Sequence, residues 1–225
     1  LSLVTSRSCI FMANASPTYR QQQRSKIREI RARLAADTKA SAGTAICAHL
    51  ETFFSQNYPA RIDANAKTIN IAAYLSSKHE ASLDNWIDAA REHSGINVFV
   101  PVIDQVQGAD KGQMHFHLYS KTSTTTIGHF GLRTLQNPEV AEQIEAPMLD
   151  CVLLPLVAFD QHGTRLGMGG GYYDRFFSNE ASRPYMMGIG FDIQESSETL
   201  ERSHWDVPLD AIITESGMRR FPSNR

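Results

Sequence analysis

Residues Cys151–Phe159 read Cys-Val-Leu-Leu-Pro-Leu-Val-Ala-Phe, an unbroken apolar run of strand length. Such a run, too short for an ordinary helix, is the pattern of a strand buried on both faces of a sheet. Pro155 within it has no N–H for the ladder, so it marks a bulge or a strand end beside a functional site. A strand covered on both faces implies a parallel sheet with helices packed above and below it.

The flanking sequence supplies the rest of that architecture. Thr68–Tyr74, Asn97–Ile103, Tyr185–Phe191 and Ala211–Thr214 are further short apolar runs, and Gln113–Tyr119 alternates apolar and polar. Between these runs the spacing turns helical. Ile27, Ile30 and Leu34 recur between Pro17 and Ala36, among Arg24, Lys26, Arg28, Arg31 and Arg33. Ile46, Leu50 and Phe53 mark a second helix over Ala40–Phe54, which Asn57 and Pro59 end. Leu83, Trp86, Ile87 and Ala90 mark a third over Ser82–His93, stopped at Gly95. The alternation predicts an α/β fold, one domain over residues 17–225, with a largely parallel, doubly wound sheet and helices on both faces.

The 225 residues are 42% hydrophobic and 20% charged, enough to bury one sizeable core. A formal net charge of −2 gives no global attraction to nucleic acid or an anionic membrane, so any phosphate site rests on local geometry. Cys9, Cys47 and Cys151 are far apart and never spaced Cys-x-x-Cys. That argues against a disulfide framework or a structural zinc site, and fits a reducing, cytoplasmic setting. No run reaches the roughly 18 apolar residues of a membrane-spanning helix. Residues 1–16 are expected to lie outside the folded domain, disordered or foreign to the natural chain, with Met12 as its natural start.

The chemistry concentrates just after the apolar run, in Asp160-Gln-His-Gly-Thr-Arg-Leu-Gly-Met-Gly-Gly-Gly-Tyr-Tyr-Asp174. Gly167, Gly169, Gly170 and Gly171 let backbone N–H groups converge without obstruction, and a helix expected from Tyr172 to Phe177 adds the positive end of its dipole. Together they form a nest for polyphosphate. Arg165 and Arg175 carry forked donors for phosphate oxygens, and Asp174 is a hard oxygen ligand suited to Mg²⁺. The stretch is neither a Gly-Lys-Ser/Thr phosphate loop nor a Gly-x-Gly-x-x-Gly dinucleotide turn. On glycine count alone, a plain structural turn competes with an anion site.

The whole string is more specific. Phe159-Asp160, Gly163, Arg165-Leu166-Gly167, Gly169 and Gly171-Tyr172-Tyr173-Asp174-Arg175 resemble the signature of the 5-formyltetrahydrofolate cyclo-ligase (methenyltetrahydrofolate synthetase) family. The resemblance covers most of Arg24 to Thr214. It implies an ATP- and Mg²⁺-dependent ligase that converts 5-formyltetrahydrofolate to 5,10-methenyltetrahydrofolate, releasing ADP and phosphate. Phosphorylation of the formyl oxygen would activate it, and N10 would close the ring.

The resemblance also implies roles. ATP would meet Arg24, Arg28, Arg165, Leu166, Gly167, Met168, Gly169, Gly170, Gly171, Tyr172, Asp174 and Arg175, with Arg165, Tyr173 and Asp174 as the catalytic set. Tyr74, Glu80, Met114, Phe116, Tyr172 and Gln194 would take the folate, with Pro101 resembling the family's strand-end proline. Asp174 and Asp210, ahead of Asp206, would hold Mg²⁺. Two positions depart from the pattern. Gly170 stands where many relatives carry lysine, and Thr134-Leu135 stands where the family usually reads glutamate-proline.

Plainer readings stand beside these. The basic residues from Arg24 to Arg33 fit the solvated face of a helix; the resemblance lifts Arg24 and Arg28 from that face and leaves Lys26, Arg31 and Arg33 on it. His115 and His117 share a strand face, but no third metal ligand is identifiable, so a packed or substrate-facing pair is expected. His129 and His162 fall in loops beside the site. Cys151 reads as a small apolar filler, Trp86 and Trp205 as packing residues, and Tyr172 and Tyr173 as a pair of which one packs and one lines the site. Two other functions compete: a non-catalytic folate- or nucleotide-binding relative, and a sugar-phosphate isomerase on a similar sheet. The expected partners are small molecules alone, without nucleic acid or membrane, and the chain is expected to be a monomer.

Overall fold

The computed structural model describes residues 18–58, 68–104, 112–128 and 131–222. The expectations placed on residues 1–16, Pro17, Pro59 and His129 lie outside the described residues.

Cys151–Pro155 (β7) stands in the middle of the main sheet. Cys151 and Leu153 point to one face and Val152 and Leu154 to the other, and all four are fully buried. Its neighbours are Tyr185–Ile189 (β10) on one side and Ile69–Ala72 (β1) on the other. Ala211–Thr214 (β11) follows β10, and Ile96–Asp104 (β2) follows β1, all in parallel. The edges are antiparallel: Gly217–Arg220 (β12) beyond β11, then Gln113–Leu118 (β3) and Gln143–Ile144 (β6) beyond β2. The sheet therefore has eight strands in the order β12-β11-β10-β7-β1-β2-β3-β6.

One face is covered by Ala36–Asn57 (α2) and Asp84–Glu92 (α3), whose Ile46, Leu50, Phe54, Trp86 and Ile87 pack on Ile71, Val98, Leu153 and Met187. The helix α2 extends beyond the expected Ala40–Phe54 at both ends. Its first turn lacks apolar periodicity but carries Asp37, which suits a helix N-terminus. The other face is covered by the short helix Tyr172–Phe176 (α4) and by loop residues Phe177, Val207, Leu209 and Phe221. Among the described residues no helix is long and apolar enough to cross a membrane.

The expected single strand over Cys151–Phe159 breaks at Pro155, where the ladder loses its donor. Ala158–Phe159 (β8) instead pairs with Arg165–Leu166 (β9) in a small hairpin. Tyr19–Ala32 (α1) lies against this hairpin rather than the sheet, with Ile27 and Ile30 packed on Val157, Ala158 and Leu166. Two expectations change here. Arg31 is not a solvated charge: it turns inward with Ile27, is only 4% exposed, and donates from Nη1 to the Leu156 carbonyl at 3.1 Å. Trp205 is not a packing residue but 60% exposed, on a loop whose apolar contacts are made by Val207 and Leu209.

The chain passes from β1 through α3 to β2 on one side, while β7 adds on β1's other side. Parallel sheets bind ligands in the crevice outside the carboxyl ends of the strands at such a reversal.

Candidate active site

A cleft of about 1360 Å³ opens at that position. Tyr74 and Leu75 beyond β1, Pro101 to Asp104 of β2, Met114 of β3 and Pro155 of β7 line it from the sheet. Gly167 to Arg175 line it from the loop after β9, and Thr18, Arg20, Gln21 and Arg24 from the start of α1. A second hairpin, Thr125–Ile127 (β4) with Arg133–Leu135 (β5), contributes Arg133, Thr134 and Leu135.

Gly169 at φ +102° and Gly171 at φ +65° hold left-handed conformations that a side chain would strain. The helix α4 has only five residues, so its dipole is small and the loop's own amides are the principal neutral donors. Three guanidinium groups hold the loop's carbonyls. Arg24 Nε donates to Gly167 O at 2.8 Å, Arg28 Nη2 to Met168 O at 3.1 Å, and Arg175 Nη1 to Gly170 O at 2.7 Å. Carbonyls engaged in this way are not turned toward an anion, and the charges that engage them remain beside it. Burial, with Arg20 and Arg28 nearby, pushes the Arg24 pKa below its ordinary value.

Beneath the loop lies an ion pair. The side chain of Arg165 is 4% exposed, and its Nη2 donates to Asp174 Oδ1 at 2.7 Å. The same oxygen accepts the Val207 N–H at 3.1 Å. Arg165 Nε is buried with no partner among the described residues, an unspent donor beside the cleft. Asp206 also lines the cleft, accepting from Arg20 Nη1 at 2.9 Å and from Ser203 N at 2.8 Å. Asp210 does not line it. Asp210 Oδ2 takes the Met186 N–H at 2.7 Å, tying β11 to β10. The carboxylates that face the cleft beside the loop are thus Asp174 and Asp206. Among the described residues no three His, Cys, Asp or Glu side chains form a metal cage. A pair of carboxylates fits Mg²⁺, which takes one or two together with substrate phosphates.

Tyr74, Glu80 and Tyr173 form a second group. Burial, then the Glu80 charge, pushes both phenols well above their ordinary range, so each is a neutral donor at physiological pH. Tyr74 donates to Ala81 O at 2.6 Å, and Glu80 accepts the Ser77 N–H at 2.9 Å. Tyr172 and Tyr173 both line the cleft and both pack partly on the core, so the expected division between them does not hold. Arg175 lies over the Tyr172 ring, 4.9 Å from its centroid.

Several sequence-derived site residues sit behind the cleft instead of on it. Phe116 is fully buried beneath Tyr173, Phe176 and Phe177, and Leu166 is in the hairpin core. Gln194 is 1% exposed and braces Leu156 O and Val157 O from Nε2 at 2.7 and 3.0 Å. Arg28 reaches the loop from outside. His115 meets Asp104 at 3.5 Å and Gln143 at 2.8 Å, and His117 meets Ala141 O at 3.4 Å; both are half-buried and neither lines the cleft. Thr18, Arg20, Gln21, Arg133 and Trp205 were not singled out as site residues, yet line the cleft. For the first three a signal existed: Thr18-x-x-Gln21 is a capping box that fixes where α1 begins.

Residues 17–215 match the sequence model of the 5-formyltetrahydrofolate cyclo-ligase family. The chain belongs to this family. The 5-formyltetrahydrofolate cyclo-ligase of Haemophilus influenzae is 34% identical over 197 residues, spanning 86% of this chain and 96% of the relative. That of Escherichia coli is 30% identical over 149 residues, 65% of this chain and 78% of the relative. The NMR structure of Aquifex aeolicus 5,10-methenyltetrahydrofolate synthetase superposes with a TM-score of 0.70 at 22% identity, over 92% of this chain and 95% of that one. A 5,10-methenyltetrahydrofolate synthetase from Mycoplasma pneumoniae gives 0.64 at 22% identity, over 88% and 99%. Cyclo-ligase relatives thus share both the sequence pattern and the α/β fold, and the sugar-phosphate isomerase reading falls away.

Proposed function

We propose that this enzyme converts 5-formyltetrahydrofolate and ATP into 5,10-methenyltetrahydrofolate, ADP and phosphate. The observation that carries the reading is that the glycine loop and the Tyr74–Glu80–Met114 wall face one cleft of about 1360 Å³. A formamide carbon is a poor electrophile because nitrogen donates into its carbonyl. Transfer of the γ-phosphoryl group to the formyl oxygen releases ADP and makes that oxygen a leaving group. N10 then bonds the activated carbon and gives up its proton, the C–O bond breaks, and phosphate departs. Both nucleophiles belong to the substrate, so the protein's work is positioning and charge neutralisation.

In this reading the Gly167–Gly171 amides bind the phosphates, with Arg24, Arg165 and Arg175 supplying positive charge. Asp174 and Asp206 would hold Mg²⁺, which when bound would neutralise charge on the phosphate oxygens. Glu80 binds pterin N–H groups, Met114 packs on the ring, and the neutral Tyr173 hydroxyl donates toward the reacting end of the folate. The test is to supply 5-formyltetrahydrofolate, ATP and Mg²⁺ and follow the near-ultraviolet absorbance of the methenyl product. No product from folded protein that binds ATP would favour the non-catalytic binding reading.

A further inference from the structure

Arg24, Arg28 and Arg31 fall at i, i+4 and i+7 on one face of α1, and each donates to a main-chain carbonyl. The first two hold the glycine loop. Arg31 reaches the opposite end of the same unit, the Leu156 carbonyl, which follows the cleft-lining Pro155 and precedes the hairpin that carries Arg165. Gln194 Nε2 donates to the same carbonyl at 2.7 Å. Arg31 is 4% exposed, does not line the cleft, and its Nε has no partner among the described residues. Among the described residues no carboxylate lies within ion-pair distance of it; Glu80 acts on it only through its field. A buried charge held this way is costly for the fold, and simple packing would be served better by an apolar side chain.

We infer that Arg31 is a positioning residue for the ATP half of the site. It fixes the junction between β7 and the β8–β9 hairpin, and so sets the glycine loop in register with Arg24 and the Arg165–Asp174 pair. The inference rests on the reading that ATP occupies the loop. It predicts a selective defect. Arg31→Gln should raise the KM for ATP about tenfold, the size of one charge-assisted hydrogen bond, and leave the KM for 5-formyltetrahydrofolate within about twofold. Arg31→Lys, which keeps a charged donor, should recover most of the loss. Arg31→Met should match Arg31→Gln in ATP affinity even if it is the more stable of the two.

A purely structural role gives a different result: lower melting temperature and lower kcat, with both KM values unchanged and no recovery in Arg31→Lys. That outcome overturns the inference. Calorimetric titration of ATP–Mg²⁺ into wild type, Arg31→Gln and Arg31→Met separates it from the functional reading. If wild type binds ATP without turnover, the activity assignment fails, and weaker binding in the variants still supports Arg31. Equal affinity in wild type, Arg31→Gln and Arg31→Met, or a loss that Arg31→Lys does not recover, overturns it.

Discussion

At Asp174 one oxygen carries two bonds, from Arg165 and from the Val207 amide, while the carboxylate still borders the cleft. Two substitutions separate these duties. Asp174→Asn keeps an acceptor for Arg165 and Val207 but removes the charge, so turnover should fall about 100-fold or more, with a smaller loss of stability than Asp174→Ala. Asp174→Ala should in addition cost about 3–5 kcal/mol in urea denaturation, because Arg165 is left as a buried charge without its partner. The raised pKa values of the Tyr74 and Tyr173 phenols set a second residue-scale expectation. Their folded pKa values lie above 10, so their contribution to stability is full below pH 10 and is lost as pH rises through the folded values. Thermal melts across alkaline pH should show a shallower decline for Tyr173→Phe than for wild type. The sequence placed Asp174 beside the glycine loop, and it borders the cleft there. The difference between Asp206 and Asp210, four positions apart on one loop, was not legible, because only the turn between them decides which meets the cleft and which ties two strands.

Among the elements, the glycine loop and α1 act together. A Cβ at Gly170 would lie 2.6 Å from the Tyr172 ring, so a side chain there has no space while Tyr172 holds its stack with Arg175. Gly170→Lys should therefore not raise activity; it should displace Tyr172 and raise KM for the substrates, measured by steady-state kinetics. Gly171→Ala should cost about 1–2 kcal/mol of unfolding free energy, read from denaturant titration, through its left-handed backbone. The long elements were readable because burial writes a period into them: alternation in β3, an apolar run in β7, helical spacing in α3. The strands that escaped, β6, β8, β9, β12 and the β4–β5 hairpin, span two to four residues each, too few to show a period. Arg31 escaped for a related reason. An arginine at helical spacing reads as surface, and only the docking of α1 on a hairpin that Pro155 creates turns it inward.

For the whole molecule, the reversal of strand order at β1 and β7 puts one cleft where two substrates can meet, and family membership says which chemistry belongs there. Sequence alone gave the parallel sheet and the loop; the cleft's remaining walls come from segments far apart in the chain, from Thr18 to Asp206, and no local pattern announces their meeting. A ligand that binds only the folded state raises its melting temperature, so ATP–Mg²⁺ should stabilise wild type by several degrees and Arg24→Met by less. The most direct test of the central claim is the absorbance assay on 5-formyltetrahydrofolate, ATP and Mg²⁺, with Asp174→Asn beside wild type. Methenyltetrahydrofolate formed only when all three are present, and nearly lost in Asp174→Asn, is the result this structure predicts. Product formed equally well without ATP, or undiminished in Asp174→Asn, would contradict it.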